Sequence, residues 1–160
     1  KQAIGVKVKR SRPAYSYIVI FQGDGKDHVM YPQDETDSPE KTDQPLYPSK
    51  RRDELWALND GNGLWLVAVI ASDEPLPSYS EWRKQHPSGP WQSHPTNAEI
   101  IMKDDAHSGF DVFDEFHPST RGGRGPIQVP NRKPVTDLTA WLRQEAKATV
   151  TTVAFSVLAK

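Results

Sequence analysis

The stretch Tyr15 to Pro32 reads YSYIVIFQGDGKDHVMYP. Its first part is apolar on both faces. Tyr15, Tyr17, Val19 and Phe21 fall on one side of an extended chain, Ile18 and Ile20 on the other. Two covered faces predict a central strand. Gln22 to Gly25 then supplies a turn, because Asp24-Gly25 tolerates the positive φ that a tight reversal requires. The chain is expected to return through Asp27 to Tyr31 as the second arm of a hairpin. Gly23 and Gly25 also raise a phosphate-binding loop. The third glycine, a following helix and a Lys-Ser/Thr pair are missing from that pattern.

Outward from this hairpin, most segments read as strands. Ile4 to Arg10 (IGVKVKR) alternates, with Ile4, Val6 and Val8 on one face and Lys7 and Lys9 on the other. Leu46-Tyr47-Pro48 and Leu55 to Leu58 read as short strands. Asn59 to Gly63 is the densest turn signal in the chain. Leu64 to Ser72 (LWLVAVIAS) carries no charge and is rich in β-branched residues, which predicts a second central strand. Gln33 to Gln44 has the composition of a solvated loop. Its Asp34, Glu35 and Asp37 are hard oxygen donors, but the register of a calcium loop is absent.

Two helices are expected. Ser78 or Ser80 caps a short one containing Glu81, Trp82 and Arg83, ended by Pro87, Gly89 and Pro90. The second begins at Thr136 as N-cap, with Asp137 near the positive end of the dipole and Leu138, Trp141 and Leu142 at helical spacing. Trp91 to Asn97 reads as irregular and Ala98 to Met102 as a strand. Lys103 to Pro134 reads as a long, mobile loop broken by one or two short elements. Thr149 to Leu158 closes the pattern as a strand, with Val153, Phe155 and Val157 on one face.

These elements predict a mainly β, α+β domain: an antiparallel, sandwich-like sheet with one or two helices packed on it. The 160 residues suit a single domain spanning 1–160. Fourteen prolines and ten glycines, set between the apolar runs, suit long loops better than a helical bundle. With no cysteine, disulfides, thiolate metal sites and cysteine nucleophiles are excluded, and a reducing cytoplasm is the expected location. Twenty basic against 21 acidic residues leave a net charge of −1, so no global field draws the chain to nucleic acid or anionic lipid. No run approaches the roughly 18 apolar residues of a membrane helix. The chain starts at Lys1 with no initiator Met, which is expected of a processed chain or a fragment of a larger signalling protein.

Chemistry-bearing patterns are sparse. His28 lies in a strand, and His86, His94 and His117 each precede a proline. None has the short spacing of a helical zinc site. Ser108, in Ala106-His107-Ser108-Gly109, lacks the first glycine of a nucleophile elbow. Asp111, Asp114 and Glu115 could form a carboxylate pair, with Trp82 and Trp91 as sugar platforms, but sequence spacing does not set separation in space. Lys50-Arg51-Arg52 and Arg121 to Arg124 are short basic elements, too small for a nucleic-acid footprint in a neutral chain.

The order of Tyr15–Phe21, Asp24-Gly25-Lys26, Tyr31-Pro32, Leu46-Tyr47-Pro48, Trp56-x-Leu58 with Gly61 and Gly63, Val67 to Ser72 and Pro75-Leu76-Pro77 resembles a family. It is similar to the bacterial β-rich accessory domains of unknown function appended to caspase-like peptidases and Ser/Thr kinases. Thr136 to Leu158 is similar to their tail, and only Trp91 to Pro134 lies outside the match. The resemblance implies sensing, substrate docking or protein–protein contact in a signalling or defence protein. The expected partner is a protein or a fused effector domain. The family has no established active-site residues to transfer. The expectation is therefore a non-enzymatic recognition module with no cofactor, no metal and no catalytic residue. Its candidate binding residues are Trp82, Trp91, His107, Phe110, Phe113, Phe116, Arg121 and Arg124. Two rivals stay open. One is a hydrolase using His107 or His117 with carboxylates between Asp104 and Glu115. The other is a protease substrate or inhibitor presenting Arg121 to Arg124.

Overall fold

The computed structural model describes residues 3–48, 56–58, 62–95, 101–103, 110–114 and 132–157. The hairpin is formed by β2 (Ala14–Phe21) and β3 (Asp27–Tyr31), preceded by β1 (Ala3–Val8). Gly25 makes the reversal at φ 94°, and Gly25 N donates to Gln22 O at 3.0 Å. The pairing slips between Ile18 and Val19, which face Tyr31 and Val29. Met30 is the extra residue of this bulge, and its side chain is buried. Both Tyr-Pro bonds, Tyr31-Pro32 and Tyr47-Pro48, are cis.

Three short strands follow: β4 (Lys41–Thr42), β5 (Leu46–Tyr47) and β6 (Trp56–Ala57). The strand β4 corrects the expectation that Gln33 to Gln44 is loop throughout. Beyond the end of β3, the edge of β2 is left open at Ala14 and Tyr15. Thr42 and Lys41 pair there, with the Lys41 ammonium 5.8 Å from the centre of the Tyr15 ring. Asp34 closes an Asx turn, accepting from Thr36 N at 2.9 Å.

The second central strand is β7 (Gly63–Ser72), followed by α1 (Tyr79–Gln85), β8 (Ile101–Lys103) and β9 (Phe110–Asp114). The chain continues into α2 (Lys133–Ala146) and β10 (Thr149–Val157). Among the described residues the large sheet runs β3-β2-β7-β10-β8, with β4 also on β2. The small sheet runs β5-β1-β6, with β9 also on β1. Every pairing is antiparallel. The expected antiparallel, sandwich-like α+β architecture is what the structure has.

The period-two alternation read from the sequence sorts the core into two halves. Tyr17, Val19, Phe21, Leu66, Ile70 and Ala154 leave one face of the large sheet and pack against Tyr79, Trp82, Leu138 and Leu142 of the helices. Ile18, Ile20, Trp65, Val67 and Val153 leave the other and meet Ile4, Val6 and Val8 of the small sheet. The layers are therefore small sheet, large sheet, helices. Leu138 and Leu142 are fully buried, and each stabilises the α2 contact by about 1.5–3 kcal/mol.

The helix starts behave differently. Ser78 caps α1 as expected, its hydroxyl accepting from Glu81 N at 3.3 Å. The second helix begins four residues before the expected start, with Arg132 instead of Thr136 at the cap and Pro134 in the first turn. Pro134 is the reason: its fixed φ suits a first turn, and its missing N–H is not needed there. Thr136 N is already a helical donor, to Arg132 O at 3.0 Å. Asp137 pairs with Lys133, one turn earlier.

Candidate functional site

Both helices end at the same place. The C-terminal turn of α1 and the C-terminal turn of α2 border an open groove of about 560 Å³. Leu76, Pro77, Trp82 and Ala146 supply its apolar lining. Gln85 and His86 from α1, and Gln144, Glu145 and Lys147 from α2 and its cap, supply the polar one.

Part-buried polar contacts tie α1 and the residues just before it to β2, β3 and the segment that follows. Tyr17 donates its hydroxyl to Pro77 O. Tyr79 donates to Asp27 Oδ2 at 2.5 Å, and Arg83 Nη2 donates to Asp27 Oδ1 at 3.0 Å. Ser80 N donates to Glu35 O at 2.9 Å. Burial, and secondarily Glu81, pushes the Tyr17 hydroxyl well above the ordinary tyrosine value. Burial and Asp27 do the same to Tyr79. Both tyrosines therefore remain protonated donors, which is what their carbonyl and carboxylate partners require. An aromatic ladder of Tyr17, Tyr79, Trp82 and His86 runs along this helix. Tyr17 meets Tyr79 edge-on at 5.4 Å, and Trp82 stacks on His86 at 4.6 Å.

His86 is the chemical centre of the groove. Its Nδ1 lies 2.9 Å from Trp82 O, a pure acceptor, so Nδ1 carries the proton. Its Nε2 lies 3.4 Å from Glu145 Oε2. The two side chains are 21% and 30% exposed, so the pair is partly shielded yet reachable from solvent. The sequence gives no warning of this pair. His86 sits at a helix cap before a proline, Glu145 is one of several acids, and no local spacing relates them.

A second constellation lies at the far end of the hairpin. Residues 91–94 fold over the β2–β3 turn and the start of β7. Trp91 Nε1 donates to Gln22 O at 2.8 Å, Ser93 Oγ to Gly23 O at 3.0 Å, and Leu64 N to His94 O at 2.8 Å. Desolvation holds the His94 imidazole below its ordinary value, and its Nε2 is buried with no hydrogen-bond partner among the described residues.

The described members of the expected binding set lie on different parts of the chain: Trp82 in α1, Trp91 in the segment after it, and Phe110 and Phe113 in β9. Trp82 is 4% and Trp91 8% exposed. Neither presents its ring to solvent: Trp82 stacks within the ladder, and Trp91 packs edge-on against Phe21 at 5.9 Å. They are core residues, because a large apolar ring is stabilised by leaving water. Trp82 still touches the groove. Phe110 and Phe113 belong to β9, in register with Val8 and Gly5. A short element is expected to break the Lys103 to Pro134 loop, and β9 is one. His107, Phe116, His117, Arg121 and Arg124 lie outside the described residues. So do the acids Asp104, Asp105 and Glu115, and with them the hydrolase and protease-substrate readings.

Among the described residues no group of three or more His, Asp or Glu side chains is arranged to hold a metal ion. No described helix is long and apolar enough to cross a membrane. No family model, curated protein or solved structure matches the chain.

Proposed function

We propose that this chain is a non-catalytic recognition module making protein–protein contact beside an effector domain, in a bacterial signalling or defence protein. The groove between the ends of α1 and α2 carries this reading. It joins an apolar platform to exposed amides at Gln85 and Gln144 and to the His86–Glu145 pair. Pockets that combine apolar surface with a few placed polar groups are the usual form of a recognition site. The groove rests on helices packed against a rigid sheet, which presents it at low conformational cost. The resemblance of Tyr15–Phe21 and the Tyr-Pro strand ends to peptidase- and kinase-associated accessory domains supports the same class.

The test is calorimetry of the chain against a caspase-like peptidase domain and a Ser/Thr kinase domain from the same genome. The variant Gln144→Trp adds bulk at an exposed helical position facing the groove. Binding to one effector domain, weakened about tenfold or more by Gln144→Trp, is the expected result. Binding to neither domain, or equal binding by the folded variant, overturns the proposal.

A further inference from the structure

Resting on the recognition reading above, we infer that the groove takes the side chain of an arginine presented by a partner protein. The argument starts from hydrogen-bond bookkeeping at His86. Its Nδ1–H is spent on Trp82 O at 2.9 Å. With the ring neutral, Nε2 offers only a lone pair, and it faces the Glu145 carboxylate at 3.4 Å. Two acceptors confront one another with no donor between them. Either the ring takes a second proton, or an outside N–H group enters.

A guanidinium is the group that fits. It presents several N–H donors in one plane and pairs with a carboxylate through two parallel hydrogen bonds. Its edge would reach Glu145 while another N–H meets His86 Nε2. The side-chain amides of Gln85 and Gln144 also line the groove, and their carbonyl oxygens supply further acceptors. The methylene stem of the ligand would lie on Leu76, Pro77 and Ala146, as long cationic side chains do on apolar surface. The helix ends agree in sign. The C-terminal ends of α1 and α2 both border the groove, and a helix C-terminus attracts positive charge. Four described cations sit in or at the last turns of these helices: Arg83, Lys84, Arg143 and Lys147. Of these, Lys147 lines the groove and Arg143 donates to Val150 O at 3.1 Å. Arg83 is occupied, donating to His86 O at 2.6 Å and to Asp27. Lys147 caps α2 and is exposed, so water screens it more than the 30%-exposed Glu145.

The probe is the blocked tripeptide acetyl-Ala-Arg-Ala-amide, titrated against the whole chain and followed by the NMR resonances of residues 85, 86 and 144–147. Its control replaces arginine with citrulline, which keeps the shape and removes the charge. The arginine peptide should bind with a Kd on the order of 1 mM, the level at which one anchored side chain operates. Citrulline, and separately Glu145→Gln, should each weaken it about tenfold. Lys147→Ala should strengthen it about twofold by removing the like charge. Equal shifts from the arginine and citrulline peptides overturn the inference, as does unchanged affinity in a folded Glu145→Gln variant. If effector binding remains sensitive to Gln144→Trp while the arginine peptide fails, the inference falls and the recognition reading stands. If effector binding ignores Gln144→Trp, both fall.

Discussion

Gly63→Ala is expected to be the most damaging single-methyl addition in the described fold. Gly63 opens β7 at φ 129°, a conformation that L side chains rarely adopt. A methyl group there would stand 2.4 Å from His94 O, where ordinary contact begins at 3.4 Å. The covering segment must therefore retreat by about 1 Å, a distance that breaks its hydrogen bond from Leu64 N. The backbone strain costs about 1–3 kcal/mol and the lost bond about 1 kcal/mol, together about 2–4 kcal/mol. With a urea m-value of about 2 kcal/mol/M, the unfolding midpoint should fall by about 1–2 M. Gly89→Ala is the matched control. Its methyl group would meet the Trp141 ring at 3.1 Å, the outer edge of a side chain able to give, and no positive φ is involved. It should stay within about 0.5 kcal/mol of the parent. Hydrogen exchange at the Leu64 amide adds a local readout, since Gly63→Ala should remove its protection. Equal midpoints for the two variants, with the Leu64 amide still protected, would refute the reasoning.

Two further outcomes are expected. Ser16 is fully buried, shares the Ile18 and Ile20 face, and its hydroxyl has no hydrogen-bond partner among the described residues. Ser16→Ala should therefore raise stability by about 1 kcal/mol, seen as a higher urea midpoint at constant slope; a loss of similar size would show that the hydroxyl is satisfied. His94 is held below its ordinary value of 6.5 by desolvation, so the folded state disfavours its charged form. Its contribution is complete above 6.5 and is lost as pH falls through the lowered folded value. Melting temperature should thus drop less on acidification from about pH 7.5 to about pH 5 in His94→Gln than in the parent; parallel curves would contradict this.

Much of the scaffold was legible because burial on a sheet has a period of two. Tyr17, Val19 and Phe21 against Ile18 and Ile20 revealed both that β2 is central and which side chains share a layer. The Asp24-Gly25 turn and the Ser78 cap were legible because each is closed by atoms a few residues apart. Thr136 misled because a good capping side chain stood just inside a helix that Pro134 allows to begin earlier. Trp82 and Trp91 were placed on a binding surface because aromatic side chains serve both recognition and cores, and composition alone does not separate the two.

The sequence by itself determined the long central strands, their inward faces and the hairpin that organises them, since these follow from local alternation and turn chemistry. Only the tertiary structure decided that the small sheet and the helices cover opposite faces of the large one. It alone brought His86 at the end of α1 to Glu145 in the last turn of α2. That meeting depends on where two helices cross a sheet, which the summed packing of the whole core sets. Neither residue's neighbours in the chain encode it.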